Sequence, residues 1–399
     1  MNKTLVLTAA ILGSAMTFVD ATAVNVVLPV LQRDLHASSQ AMQWVIEGYA
    51  LFLGALIMLG GALDDVYGRK RLFAIGIAVF AAASAGCAFA PTAPALVAMR
   101  CVQGIGAALA VPESLALLNA SFHGEERGRA IGTWSAFASL TAAGGPVLGG
   151  WLAQHASGRY VFVINLPLAL VVLAVTALGV SESRDDAMPR RLDVPGAVLA
   201  TAALGALTYA LIELQGKPRS ATPYVLLAAA AASAVTFVAL EYRSRAPMLP
   251  LRLFGSRLFA TANLYTLFLY AALGGSLYFV PFVLIDVQRY TPTAAGAALL
   301  PFVALQFSLA RWSGGLAARI GPRRPLVAGA LLAAAAFAAF ALPGIGGTYW
   351  STYFPAATLL GCAGVLFVAP LTAAVFAAVD VEHSGLASGL HNAVSRCAG

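Results

Sequence analysis

The stretch TFVDATAVNVVLPVLQ, Thr17 to Gln32, carries one charged side chain, Asp20, and no other charge lies between Lys3 and Arg33. At about 1.5 Å of rise per residue the run is long enough to cross a hydrocarbon core of about 30 Å as one helix. It is too long for the 7–15-residue apolar core of a signal peptide, so it reads as a retained first span. Asp20 then lies about 22 Å along that helix, near or somewhat beyond mid-membrane. A carboxylate there is costly in lipid, and such residues usually face a water-filled cavity and act on ions or substrates. Burial disfavours the charged form, which would let a proton bind and leave near neutral pH. The plainer alternative is a structural acid paired with an arginine or capping broken backbone.

The rest of the chain fits this opening. Of 399 residues, 60% are hydrophobic and 10% charged, against roughly 25% charged in an ordinary soluble domain. The mean hydropathy is +0.82. A soluble fold cannot hide that much apolar surface, so the solvent is lipid. Hydropathy predicts twelve helices, near 5–31, 44–63, 72–91, 95–119, 130–153, 160–180, 194–214, 222–241, 259–285, 294–318, 326–342 and 351–379. The final SGLASGLHNAVSRCAG, 384–399, reads as the start of a thirteenth. With the N-terminus in the cytoplasm, 17 of the 24 Lys and Arg fall on the cytoplasmic side and five outside, with Arg100 and Arg311 inside spans. A bias above threefold that survives every alternation supports both the helix count and the orientation.

Several function classes find no support. The net charge of +7 is explained by basic loops, and no Lys/Arg block with interleaved aromatics suggests nucleic acid. The four cysteines have no CxxC spacing, and no disulfide framework or zinc site is expected. HExxH, Walker A and GxSxG patterns do not occur, so neither an enzyme nor an ATP-driven pump is expected, and no cofactor or metal.

A weak repeat gives the organisation. GALDDVYGRKRL, 61–72, follows the second span, and GGLAARIGPRRPL, 314–326, follows the tenth. Both are tight turns with glycine before basic residues, as in a duplicated transporter fold. The expected division is a six-helix half at 1–181, two extra helices with flanking linkers at 182–258, and an incomplete C-terminal half at 259–399. That last half holds four helices and the start of a fifth.

Four segments carry a resemblance. GALDDVYGRKR (61–71) is similar to the loop signature of the major facilitator superfamily, and RCVQGIGAA (100–108) to its Arg-containing fourth-helix signature. GGPVLGGW (144–151) is similar to the fifth-helix antiporter motif, and VDATAVNVVLP (19–29) to the first-helix motif of the 14-helix drug:H⁺ antiporters of the EmrB/QacA type. The chain departs from the patterns at Val66, Thr141 and Ala318, and it ends where a 14-helix member would continue, so it reads as C-terminally truncated. The resemblance implies an all-α major facilitator fold in the inner or plasma membrane. It implies proton-coupled efflux of small hydrophobic or cationic compounds, with a periplasmic adaptor and an outer-membrane channel as further partners.

Roles follow residue by residue. The resemblance implies proton transfer at Arg100 beside Asp20, a structural ion pair being the alternative. Glu113, after Pro112 in AVPESLALL, is a second intramembrane acid. It either binds a proton or a cationic substrate, or is an acid near the cytoplasmic end that snorkels out or pairs with a loop arginine. Asn25, Glu47, Gln103 and Trp134 are candidates to line the substrate cavity. Asn25 also suits helix bending, and Glu47 suits a plain interfacial place. Gly61, Asp65, Gly68, Arg69 and Lys70 form a conformational turn, with Gly68 permitting a backbone that side chains forbid. Gly145, Pro146, Gly149 and Gly150 would bend the fifth helix and let others approach, which the resemblance ties to antiport. Competing readings are an exporter of one metabolite and a non-transporting remnant or subunit.

Overall fold

A computed structural model describes residues 2–182, 193–216, 220–244, 247, 251–378, 390–391, 394–395 and 398. Every regular element among them is a helix: α1 Lys3–Asp34, α2 Ser39–Tyr67, α3 Arg69–Ala88, α4 Ala93–Ser121, α5 Gly124–His155, α6 Tyr160–Val163 and α7 Asn165–Gly179, then α8 Val194–Gly216, α9 Thr222–Arg243, α10 Arg257–Phe282, α11 Pro292–Ala297, α12 Leu300–Ile320, α13 Arg323–Ala341 and α14 Tyr353–Ala377. Among the described residues, ten stretches are long and apolar enough to cross a membrane. At 29 and 32 residues, α2 and α5 also have the length to span it. Most of the segment expected to open a thirteenth helix lies outside the described residues.

Each of the twelve predicted helices has its counterpart, but three are not continuous. The sixth is α6 plus α7, because Pro167 has no N–H to return to the carbonyl of Val163, where α6 ends. The tenth is α11 plus α12 for the same reason: Pro301 cannot bond Ala297, the last residue of α11. In the ninth, α10 contains Pro281 and widens into a π-turn at Val283–Val287. That turn closes with the Gln288 N–H on the Val283 carbonyl at 2.9 Å.

The helices gather into two compact units. Unit 1 comprises Met1–Asp20, Leu31–Ala138 and Phe162–Leu251, and unit 2 comprises Ala21–Val30, Ser139–Val161 and Arg252–Gly399. In unit 1, α4 packs against α2 and α3. The α3–α4 crossing is backbone on backbone: a Cβ on Gly76 would lie 2.8 Å from the Ala110 nitrogen, and one on Gly106 2.6 Å from that of Phe80. With no water to squeeze out, close van der Waals contact of this kind is what holds helices together in lipid. The pair α8–α9 joins the unit through α2. Trp44 meets Tyr209 at 5.6 Å between ring centres, and the Gln40 amide donates to the Ile212 carbonyl at 3.3 Å.

Unit 2 is built on α14, which packs against α10, α12 and α13. Its core is apolar: Leu269, Leu273, Ala333, Ala336, Leu360, Ala363 and Phe367 form one cluster. Tyr265 ties α10 to the start of α13 through the Leu326 carbonyl at 2.9 Å.

Candidate functional site

Asp20 is not alone in its apolar run. Its Oδ2 accepts from Arg100 Nη1 at 2.5 Å, and its Oδ1 accepts from Gln103 Nε2 and Asn165 Nδ2, each at 3.0 Å. All three partners are donors, which suits an ionised carboxylate that can only accept. The set lies out of contact with the surroundings: Asp20 and Gln103 are 0% exposed, Arg100 and Asn165 1%.

Five helices, α1, α2, α3, α4 and α7, bring these groups together. Thr92 caps α4 by accepting from the Ala95 N–H at 3.4 Å, and Pro94 follows in the first turn. Arg100 and Gln103 then sit one turn apart on the same face of α4. The Arg100 Nη1 also donates to Gln103 Oε1 at 2.6 Å, and Nε to the Val45 carbonyl of α2 at 2.8 Å. The guanidinium lies 4.4 Å from the Tyr49 ring centre and 5.9 Å from that of Phe162, a cation–π setting. Gln103 donates its second N–H to Ser84 Oγ of α3 at 2.8 Å, and Asn165 at the start of α7 reaches the same hydroxyl at 3.3 Å. The Ser84 hydroxyl in turn donates to the Phe80 carbonyl at 2.8 Å. Removing one partner of such a buried pair costs about 3–5 kcal/mol, because a charge is left uncompensated.

The other intramembrane acids stand apart from this cluster. Glu113 is 0% exposed on α4, 13 residues and about 20 Å beyond Arg100. Glu47 is half-buried on α2 and makes no hydrogen bond to the cluster. Asn25, also half-buried, donates to the Ala21 carbonyl of its own helix at 3.3 Å. Trp134 on α5 donates its indole N–H to Ser14 Oγ of α1 at 2.9 Å.

The turn between α2 and α3 has an anionic cap from elsewhere in unit 1. Gly68 holds φ +94° ahead of α3, a conformation L side chains rarely adopt. Glu182, beyond α7, places Oε1 on the Lys70 N–H at 3.0 Å and Oε2 on the Arg71 N–H at 3.2 Å. A carboxylate on the exposed N–H groups of a helix N-terminus also matches the helix dipole. The Lys70 ammonium crosses in the opposite sense, to the Ala177 carbonyl near the end of α7 at 3.2 Å, and the Asn2 N–H reaches the Gly179 carbonyl at 3.3 Å. Arg69 is half-buried at the start of α3. Gly61 and Asp65 lie on α2, and the Asp65 side chain falls outside the described residues.

In unit 2 the glycines of α5 mark two close approaches. A Cβ on Gly149 would lie 2.7 Å from the Ala23 carbonyl oxygen of α1. One on Gly150 would strike the Pro292 carbonyl, and one on Gly296 the Pro146 carbonyl, so α5 meets α11 backbone to backbone. Gly145 is buried beside Pro146.

Three contributors escape sequence reasoning: Ser84, Asn165 and Glu182. Ser84 looks like ordinary helix filler in AAASAG, and Asn165 like a helix start before LPLALVV. Glu182 sits in the charged segment SESRDD, where one acid is not distinguishable from its neighbours. The one available signal is that Asn165 is an amide flanked by apolar residues on both sides.

Comparison with known proteins agrees with this architecture. The chain is 37% identical to the multidrug resistance protein Stp of Mycobacterium tuberculosis (strain CDC 1551 / Oshkosh), over 98% of this chain and 73% of that protein. It is 34% identical to the puromycin resistance protein pur8 of Streptomyces alboniger, over 96% and 77%. To the tetracenomycin C resistance and export protein of Streptomyces glaucescens it is 35% identical, over 82% and 61%. Among solved structures, a peptide transporter POT in complex with sulfate superposes with a TM-score of 0.71 at 13% identity, covering 98% of this chain and 87% of that one. A D-xylose-proton symporter superposes at 0.67 and 16%, covering 100% and 88%. These two share the fold. The Major Facilitator Superfamily profile matches residues 10–399, and the chain belongs to that superfamily of membrane transporters.

Proposed function

We propose that this chain is a proton-coupled exporter of small hydrophobic or cationic compounds, a drug:H⁺ antiporter of the 14-helix group. It spans the plasma membrane many times with its N-terminus in the cytoplasm. The observation that carries this reading is the wholly buried Asp20–Arg100 pair. In this arrangement the Asp20 carboxylate accepts from three donors, Arg100, Gln103 and Asn165. A proton can bind only as the Arg100 contact loosens, and Arg100 is then left without its counter-charge. That imbalance, on the order of 3–5 kcal/mol, shifts a conformational equilibrium by two or more powers of ten. Proton uptake and helix rearrangement are thereby one event. Glu113 supplies a second acidic position at which a cationic substrate and a proton compete. The close α5 contacts at Gly149 and Gly150 support a bend that limits leak. The charge map supports the orientation, and the resemblance supports a periplasmic adaptor with an outer-membrane channel as partners.

The test is gradient-dependent movement of a fluorescent cation into everted membrane vesicles, with Asp20→Asn beside the parent. Transport that collapses with the proton gradient and is lost in Asp20→Asn is expected. Asp20→Asn transporting at full rate would remove the proton-site assignment, and no transport by the parent would remove the drug-export reading. A narrower reading, export of a single compound, is favoured by relatives named for one antibiotic each, such as puromycin or lincomycin. A panel of unrelated cations and antibiotics separates the two.

A further inference from the structure

Of the ten apolar stretches found among the described residues, α9 is the least covered. Only 11% of its most apolar stretch is buried, against 44% for α4. One stripe along it, Ala234, Val235, Val238 and Ala239, forms a shallow apolar groove that runs to Tyr242 and Arg243 at the helix end. Val235 is 69% exposed and Tyr242 83%. The two alanines give the groove its depth, and the tyrosine stands where an amphipathic ring marks a membrane interface.

Two acids lie at this end, Asp193 and Glu241, both against Gly196 of α8 rather than on the groove, a Cβ there meeting Asp193 Oδ2 at 2.7 Å. Glu241 faces the other way: it is buried, and its Oε1 lies 2.8 Å from where a Cβ on Gly196 of α8 would stand. Arg243 is exposed and makes no ion pair among the described residues. The sequence that follows, YRSRAPMLPLRLFGSRL at 242–258, contains four arginines and no acid. Clusters of that kind beside a membrane-spanning helix attract anionic headgroups, at about 1 kcal/mol per basic residue.

We propose that α9 carries a binding site for an anionic phospholipid, with the phosphate on Arg243 and an acyl chain along the Ala234–Val235–Val238–Ala239 groove. A zwitterionic lipid can fill the groove, but its own ammonium offsets the attraction of the phosphate for the basic end. The site is therefore selective by headgroup rather than by chain. It belongs to the α8–α9 pair, away from the buried Asp20 cluster, so its occupancy is separable from proton coupling.

The test uses the full chain, purified and delipidated in a neutral detergent, with thermal unfolding followed against added lipid. A ligand that binds only the folded state raises the midpoint saturably. Dioleoyl phosphatidylglycerol is expected to do so at lower concentration than dioleoyl phosphatidylcholine, and glycerol 3-phosphate alone to do nothing. Arg243→Gln is expected to need about fivefold more phosphatidylglycerol, and Arg243→Lys to behave as the parent. Ala239→Trp, which fills the groove and leaves the charge, is expected to abolish the response. Equal responses to the two lipids, or an unchanged titration in Arg243→Gln, would overturn the proposal. So would efficient chain-to-chain cross-linking of Val238→Cys in native membranes, because a second copy would then occupy the groove.

Discussion

The two units bury polar groups in opposite ways. In unit 1 the buried charged residues are Asp20, Arg100, Glu113 and Glu241, while unit 2 buries no Asp, Glu, Lys or Arg among the described residues. Where unit 2 does bury polar groups, they bond mostly to backbone carbonyls, of their own helix or of a neighbour. Asn263 donates to Phe259 at 2.9 Å, Thr266 to Ala262 at 2.8 Å, and Ser313 to Val365. In unit 1 Asp20, Arg100, Gln103, Ser84 and Asn165 satisfy one another across α1, α3, α4 and α7. The buried His391 of unit 2 meets one polar side chain, Thr266 of α10, at 3.3 Å, whereas the polar cluster of unit 1 joins four helices. Conformational coupling calls for the second arrangement, and a stable scaffold is served by the first.

The sharpest way to break this contrast is Arg100→Ala. It strands Asp20 without a counter-charge and is expected to lower stability by about 3–5 kcal/mol, whereas Ser313→Ala in unit 2 costs about 1 kcal/mol. Unfolding midpoints of both in detergent test it, and similar losses would erase the distinction. The double change Asp20→Asn with Arg100→Gln should recover part of the loss, since no buried charge is left unpaired.

Next in size is Asn165→Ala, which deletes a hydrogen bond to a charged group and should cost about 1.5–3 kcal/mol. The same substitution at Asn263 removes only a bond within its own helix and should cost about 1 kcal/mol or less.

The repeated turns give a finer comparison. Gly68 and Gly321 both have positive φ, +94° and +77°. A Cβ at Gly68 would meet Glu182 Oε1 at 2.5 Å, while at Gly321 it meets nothing within 4 Å. Each Gly→Ala carries a backbone penalty of about 1–2 kcal/mol. Gly68→Ala should lose more, by about 1 kcal/mol for the displaced carboxylate cap. Equal losses would show that Glu182 contributes little to the turn.

The smallest effect concerns Lys3 and Glu126, paired at 2.5 Å on the surface of unit 1. The Lys3 ammonium, through its hydrogen bond and its charge, holds the Glu126 carboxyl below the ordinary carboxylate range. A lowered folded-state value means stability that is present above the ordinary value and lost as pH falls through the lowered one. Lys3→Gln should remove that acid-side dependence and leave stability at neutral pH nearly unchanged, as expected for an exposed pair. An acid titration of the two proteins would show it.

Most of the fold was legible because lipid enforces it: every span must be about 20 apolar residues long. The interruptions were harder to see. Pro167 and Pro301 break helices at Ile164 and Ala298–Leu299, yet Pro29, Pro112 and Pro146 lie inside continuous ones. Whether a freed carbonyl ends a helix depends on what re-pairs it, and that is a tertiary matter. Within the site, Asp20, Arg100 and Gln103 stood out because each is polar in an apolar run. Ser84 and Asn165 did not, because one hydroxyl or amide is cheap enough to bury that its presence signals nothing. Glu182 was hidden by its distance in sequence from the turn it caps.

The clasp formed by Asn2, Lys70 and Glu182 at the ends of α1, α3 and α7 has a mechanical consequence. These three helices also carry Asp20, Ser84 and Asn165, so each is fastened at two levels. At 1.5 Å per residue the levels lie about 21 Å apart on α3 and α7 and about 27 Å apart on α1. Rods pinned at two heights form a truss: none can roll or slide without straining both joints. Undo the inner joint alone and the outer one becomes a pivot, so the freedom released is splay about the clasp rather than sliding. A small change at one carboxylate is then magnified with distance from the pivot.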